Sequence, residues 1–441
     1  GIATLEQDTI ELHKDDGLVS EVLTSDVVDG LKGRLGLGSV RYPTTGTPSM
    51  QDAQPFVVAF PENGIANSHN GNLVNYTDMR EVLKKGGGHL SSKCDAEIII
   101  NVFARQVSEH RGDLFKAAES CMKLFDGAYA EGVITGKGDL FAFRDPHGIK
   151  PLCYGWNDEL FMVASESVAL DTNRIPLKGQ VKPGEALLLR KGKLTKRQLM
   201  KKRFATCMFE YVYFSRPDSV LDMGNVYEIR VKLGELLARD WPAKADIVVP
   251  VPDTARPAAE GFSRASNIPV AEGLIKNRYV ARTFIMPKQK DREVAVRMKV
   301  NPLQSVLKGK RVVLIDDSIV RGTTTANLVN LVRGAGATEV HVRITCPPII
   351  GPCFYGIDMS THKELIAANH SVEEIRKKMG ADSLAYQKIE SLNEALGLKA
   401  DDVCNGCLHE RYPTPFARKV NELLKKKGSK SRYWEDTTTV H

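Results

Sequence analysis

RVVLIDDSIVRGTTT, from Arg311 to Thr325, changes character twice within a few residues. Val312 to Ile315 form a short apolar run that stops at two carboxylates, Asp316 and Asp317. A run of that length ending in a turn signal predicts a buried parallel strand. Gly322 and three threonines follow, and Ala326, Asn327, Leu328, Val329, Leu331 and Val332 continue at helical spacing. The stretch therefore reads as strand, loop and helix. Such a junction aims backbone N–H groups and the positive end of a helix dipole at one spot, which suits a phosphate. Two carboxylates at its edge can hold sugar hydroxyls, or a Mg²⁺ that bridges to further phosphates. An Asp-Asp pair alone is more often a helix-cap arrangement. The run is not a Walker A loop, because no Gly-Lys-Ser/Thr follows.

The surrounding sequence keeps the same rhythm. Helix Val226–Arg239, strand Ala245–Pro250, helix Ala255–Ala265, strand Val312–Ile315, helix Thr324–Arg333 and strand Glu339–Thr345 alternate. Alternation of this kind predicts an α/β domain with a doubly wound, mainly parallel sheet. IVVPVPDTARPAA is a second strand-to-helix turn, which puts Asp253 and Thr254 at the carboxyl edge of the sheet. Alone it would read as an N-cap. Between the two turns lies a polar loop dense in cations: Lys276, Arg278, Arg282, Lys288, Lys290, Arg292, Arg297 and Lys299. Beside a phosphate cradle it reads as a lid over an anionic substrate rather than as a merely solvated loop.

Residues 1 to about 205 differ. Ile2–Thr4, Phe56–Phe60, Tyr129–Thr135, Leu140–Arg144, Leu160–Ala164 and Glu185–Arg190 alternate like strands, and Glu97–Gln106 and Asp113–Leu124 read as helices. This predicts an α+β domain with antiparallel sheets. At one domain per ~150 residues, a 441-residue chain holds two or three. The reading divides it into domains 1–205 and 206–410 and a basic helical tail, 411–441. A net charge of +7 is mild and calls for no nucleic acid. No apolar run approaches the roughly 20 residues of a membrane span. Eight cysteines are too few for a disulfide scaffold in a chain this long, and with no export signal visible the expected location is the cytoplasm. The chain opens at Gly1, in what reads as mid-strand, so a preceding segment is expected.

The Arg311–Thr325 run closely resembles the phosphoribosyl-pyrophosphate (PRPP) loop of type I phosphoribosyltransferases. That resemblance implies Asp316 and Asp317 for the ribose hydroxyls and Mg²⁺, and Ser318, Arg321, Gly322, Thr323 and Thr324 for the 5-phosphate. The stretch from Lys276, FEYVYFSRPDSVLD (Phe209 to Asp222) and PCFYGIDMSTHKELIA (Pro352 to Ala367) resemble the glutamine PRPP amidotransferase family, and the resemblance covers nearly the whole chain. It implies Thr254 as a further Mg²⁺ ligand, and Asp253, Lys276, Arg278 and Lys299 as PRPP contacts.

That family joins the phosphoribosyltransferase to an N-terminal-nucleophile (class II) glutamine amidotransferase. GLGSVRYPTTG (Gly36 to Gly46) resembles the segment whose arginine grips the glutamine α-carboxylate, implying Arg41; a guanidinium meets a carboxylate bidentately. SHNGNLVN (Ser68 to Asn75) resembles the oxyanion-hole segment, implying Asn70 and Gly71. KCDAE implies Asp95 for the substrate amino group. His-Asn-Gly alone would be only a turn signal. The family's nucleophile is an N-terminal Cys whose own amine is the base. Here residue 1 is Gly, and no internal cysteine has a free amine, so the chain as given is expected to use ammonia only. Ser39 stands where relatives often carry His.

Cys404-Asn-Gly-Cys407 is a C-x-x-C pair with Cys207 and Cys353 far off. Spacing alone leaves zinc, iron–sulfur or no metal open. A redox pair is disfavoured because no helix is expected to open there after a strand. One branch of the family carries a [4Fe–4S] cluster on four dispersed cysteines, and Cys207, Cys353, Cys404 and Cys407 match them. Cys94, Cys121, Cys153 and Cys346 match none and read as buried thiols. The resemblance implies an amidophosphoribosyltransferase acting on PRPP and glutamine in purine synthesis, forming 5-phosphoribosylamine, with purine nucleotides as inhibitors and a homotetramer. The rivals are an ammonia-only phosphoribosyltransferase and a non-enzymatic PRPP-sensing regulator, and the regulator would have no use for Arg41, Asn70 and Asp95.

Overall fold

A computed structural model describes residues 1–41, 50–277, 300–359 and 361–427. The chain divides into two compact units. The described residues of Gly1–Thr206, Cys353–Ser360 and Tyr412–His441 form one, and those of Cys207–Pro352 and Thr361–Arg411 the other.

The first unit is built on a six-stranded sheet, in the order Lys193–Gln198, Glu185–Arg190, Leu140–Arg144, Gly127–Thr135, Ile65–Leu73, Phe56–Val58. Every pairing in it is antiparallel. Helices Asp95–Glu109 and Leu114–Leu124 cover one face. Phe103 stacks on Phe141 and Phe143 at 5.8 and 5.6 Å, and Phe115 meets Phe141 edge-on. The other face is closed by Ala3, Leu35 and Leu37 of a small sheet, and by Leu152 and Val181. The central strands are thus buried on both sides, which explains the nearly unbroken burial of Gly127–Thr135. Asp113 caps the second helix, accepting from the N–H groups of Phe115 and Lys116. The first helix has Asp95 and Glu97 in its first turn, where carboxylates suit the helix dipole.

Two segments from late in the sequence belong to this unit. Asn72 Nδ2 donates to Phe354 O at 2.9 Å, the Phe354 and Tyr412 rings lie 4.7 Å apart, and Phe416 N donates to Asp126 Oδ2.

In the second unit four parallel strands stand in the order Ile247–Pro250, Arg311–Asp316, Glu339–Ile344, Ser383–Tyr386. Val270 bridges Val248 in parallel on the outer side of the first strand, with Ala271 N donating to Val248 O at 2.8 Å. The chain therefore leaves the first strand in one direction and returns on its other side. The switch point lies between Ile247–Pro250 and Arg311–Asp316, and open α/β sheets bind ligands outside the carboxyl ends of strands at such a point. The strands and helices predicted here differ from those observed by only a residue or two at their ends. Strand Ser383–Tyr386 and helices Val372–Met379 and Ile389–Leu396 went unpredicted, being short and partly polar. No helix among the described residues is long and apolar enough to cross a membrane.

Helices Val226–Asp240 and Arg256–Ser266 cross at two glycines. A Cβ on Gly234 would sit 1.9 Å from Ala258 O, and one on Gly261 would sit 1.9 Å from Val231 O. Alanine is the better helix former by about 1 kcal/mol, but a clash with backbone cannot be relieved by a rotamer change. Gly261→Ala should therefore destabilise the protein by roughly 1–3 kcal/mol, as overpacking does. Gly334→Ala, whose Cβ meets nothing within 4 Å, should leave the thermal midpoint unchanged or raised.

Candidate functional sites

The first site grows from strand Ile65–Leu73, IANSHNGNL. Its polar middle hides it from a hydrophobic pattern. His-Asn-Gly is no turn here: all three residues pair along the neighbouring strand, His69 with Glu131, Asn70 with Ala130 and Gly71 with Tyr129. Gly71 has φ +150°, and a Cβ there would lie 2.0 Å from Ala128 O, so only glycine fits. Asn70 and Gly71 thus occupy a fixed stretch of regular sheet.

Asp95 begins helix Asp95–Glu109. The turn before it is held by Glu97, which accepts from the backbone and hydroxyl of both Ser91 and Ser92. Asp95 Oδ2 accepts from Leu73 N at 3.0 Å and lies 3.3 Å from His69 Nε2. On the other side of the ring, His69 Nδ1 is 2.5 Å from Glu131 Oε1, and Glu131 Oε2 accepts from Asn67 Nδ2 at 3.0 Å. Gln54 exchanges two hydrogen bonds with the His69 backbone. Burial works against the imidazolium, but Asp95 and Glu131 outweigh it and raise His69 to about 10. Burial likewise opposes ionisation of Asp95, yet His69, the Leu73 N–H and Arg41 hold it below the usual carboxylate range. Arg41 is exposed and donates to Asp52 O at 3.2 Å. Cys94, next to Asp95, has its thiol pushed up to about 12 by burial and by Asp95, so it is a poor nucleophile.

Gly71 and Asp95 are therefore brought together around His69, with Asn70 next to Gly71 in the strand and Arg41 near enough to bias Asp95. His69 and Glu131 were not singled out from the sequence. The available signal was Glu131 itself, a charged residue inside the apolar run AYAEGVIT.

The second site lies at the switch point. Asp316 ends its strand, Asp317 N donates to Asp316 Oδ1 at 2.9 Å, and Ser318 Oγ donates to Asp317 Oδ1 at 2.7 Å. Thr345 N and Cys346 N tie the two aspartate carbonyls to the next strand. Burial and the charge of Asp317 push Asp316 well above the ordinary range. Burial raises Asp317 to about 6, although Ser318 and Arg230 offset part of the effect. A buried and a half-buried carboxyl with so little positive charge beside them among the described residues suit a cation. Gly322, at φ +83°, precedes helix Thr323–Gly334, whose start no side chain caps. Thr323 and Thr324 are exposed on its first turn. A Cβ on Gly322 would meet Ile366 Cδ1 at 2.7 Å. Arg321 is ion-paired with Glu364. Across the switch point, Asp253 and Thr254 follow strand Ile247–Pro250, and Lys276 Nζ reaches Asp253 Oδ2 at 2.5 Å. Arg278, Lys299 and the rest of the expected lid lie outside the described residues.

All eight cysteines are buried and none is in a disulfide. Cys207 and Cys404 stand on two paired two-residue strands, and Cys407 lies in the single turn Gly406–His409. The C-x-x-C thus does open a helix after a strand, against expectation; both elements are too short to leave a periodic signal. Among the described residues no group of three or more His, Cys, Asp or Glu side chains is arranged to hold a metal ion.

A glutamine amidotransferase domain model matches residues 44–172. The amidophosphoribosyltransferase of Methanothermobacter thermautotrophicus is 48% identical over 96% of this chain and 89% of its own length. That of Bacillus subtilis is 42% identical over 94% of this chain and 87% of its own. A solved glutamine PRPP amidotransferase from B. subtilis, complexed with ADP and GMP, superposes with a TM-score of 0.86 at 39% identity, covering 94% of this chain and 91% of that one. A second structure, of the allosteric regulatory enzyme of purine biosynthesis, gives a TM-score of 0.87 at 39% identity, over 94% and 90%. The chain belongs to the amidophosphoribosyltransferase family.

Proposed function

We infer that the chain is an amidophosphoribosyltransferase of purine biosynthesis, turning PRPP, glutamine and water into 5-phosphoribosylamine, glutamate and pyrophosphate. The observation that carries this is the pairing, in one chain, of a fixed Asn70–Gly71–Asp95 arrangement in the first unit with two cation-hungry carboxyls beside an uncapped helix start in the second. Neither site alone would need the other.

In the first unit Arg41 would bind the glutamine α-carboxylate and Asp95 its α-ammonium, while Asn70 and the Gly71 N–H stabilise the oxyanion. In the second, Asp316 and Asp317 would hold the ribose hydroxyls. Ser318, Arg321, Gly322, Thr323 and Thr324 would wrap the 5-phosphate, with Asp253, Lys276, Arg278 and Lys299 as further PRPP contacts. Thr254, Asp316 and Asp317 offer the hard oxygens that Mg²⁺ takes, and an ion held by one or two carboxylates plus substrate phosphates needs no all-protein cage. Bound there, Mg²⁺ would supply neutralisation of the leaving pyrophosphate. Ammonia passed from the first unit displaces pyrophosphate at C1, a step governed by positioning and charge. We further propose purine nucleotides as inhibitors, in line with the nucleotides bound to the B. subtilis structure. A homotetrameric, cytoplasmic enzyme completes the reading.

Cys207, Cys353, Cys404 and Cys407 are proposed as ligands of a [4Fe–4S] cluster. Four buried cysteines outside any disulfide supply the thiolates such a cluster takes, and three of them lie on short elements of the second unit. The cluster would be structural.

With ammonia as donor, the purified protein should release pyrophosphate from PRPP in a Mg²⁺-dependent reaction. Asp317→Asn should slow this by about 10²-fold, the scale of one lost electrostatic contact in a closed site. Absence of PRPP turnover with ammonia would leave the regulator reading in its place. An anaerobic preparation should be brown, contain iron and bleach in Cys404→Ser; a colourless, zinc-containing protein would overturn the cluster.

A further inference from the structure

The Glu131–His69–Asp95 array leads outward from the core: the side chains are 0%, 2% and 16% exposed in that order. Only the last reaches the surface. Its Oδ2 is engaged by Leu73 N and faces His69 Nε2, while among the described residues Oδ1 has only a weak Cys94 Sγ contact at 3.7 Å. One carboxylate oxygen is thus tied down from behind and the other is left for a ligand. His69 Nε2 is buried and aimed at Asp95 without making a hydrogen bond. Burial raises Glu131 even so, but a core histidine serving only packing would not need a carboxyl group on each side. Two buried carboxylates would otherwise repel one another and share a proton.

We propose that His69, braced by Glu131, is a positioning residue of the glutamine site, acting through Asp95 by fixing the orientation and negative charge of the carboxylate that receives the substrate α-ammonium. The inference rests on the reading of Asp95 given above. Asn67 extends the brace by donating to both Glu131 Oε2 and Ala96 O, which ties the array to the helix that begins at Asp95. Asp95 stays anionic at neutral pH because an imidazolium stands behind it. A neutral amide in place of His69 would leave the carboxylate both freer to turn and easier to protonate.

The test compares two probes by calorimetric titration of the full chain: L-glutamine, and glutaramate, which lacks only the α-amino group. The wild-type protein should prefer glutamine. His69→Gln should cut that preference by about tenfold, the size of one charge-assisted hydrogen bond, with glutaramate affinity nearly unchanged. Glu131→Gln, which keeps the shape, should give the same split at smaller amplitude. Equal weakening of both probes would mean the array is merely structural and would overturn the proposal. If His69→Gln does not fold by thermal unfolding, the Glu131→Gln split decides. Wild-type protein that binds both probes equally, or neither, would overturn the reading of Asp95 and this proposal with it.

Discussion

A carboxylate buried in protein stays charged only if positive charge or donated hydrogens stand beside it. Both halves of this chain are organised by that constraint, and they answer it in opposite ways. In the first unit the chain supplies its own cation, His69, and Asp95 is held anionic below its usual range. In the second, Asp316 and Asp317 are pushed upward because the described residues offer them little beyond Ser318 and the partial influence of Arg230. In one site the carboxylate is balanced by the chain's own side chains; in the other the described residues leave the carboxyls short of positive charge. That difference fits the chemistry assigned to each. The glutamine α-ammonium needs a carboxylate already oriented, whereas a phosphorylated sugar brings its metal with it.

Rigidity follows the same division. Asn70, Gly71 and Asp95 sit on a central strand and a helix start, braced by Glu97, Gln54 and Asn67, so little ordering of those three remains to oppose binding. In the second, the exposed Thr323 and Thr324 and the Arg321–Glu364 pair stand at the mouth of the strand ends. Arg321 is held in place by a carboxylate that a bound phosphate would have to outcompete.

Legibility in the sequence tracks how closely each residue's role coincides with its folding role. Val312–Ile315 and the helix at Thr323 obey ordinary periodicity, so the strand–loop–helix junction could be read directly. Asp253 and Thr254 needed only the strand before them. The switch point did not show, because the Val248–Val270 bridge that creates it is a single residue pair. Ile65–Leu73 was unreadable as a strand since its inward positions carry Asn67 and His69. Sequence-level consistency breaks where function requires it to. The pairing of His69 with Glu131 is a cross-strand register between residues 62 positions apart, and the sequence between them carries no trace of it.

The segment around Phe354 has a consequence of a different kind. Asn72 donates to Phe354 O, and Gly356, at φ +103°, lies so close that a Cβ would meet Gly71 O at 2.9 Å. The backbone beside Gly71 is therefore walled by chain made some 280 residues later, and Thr414 N, donating to the Tyr355 hydroxyl, secures that wall from further downstream still. On a ribosome building the protein from its amino end, the glutamine half is the first to emerge and among the last to be finished.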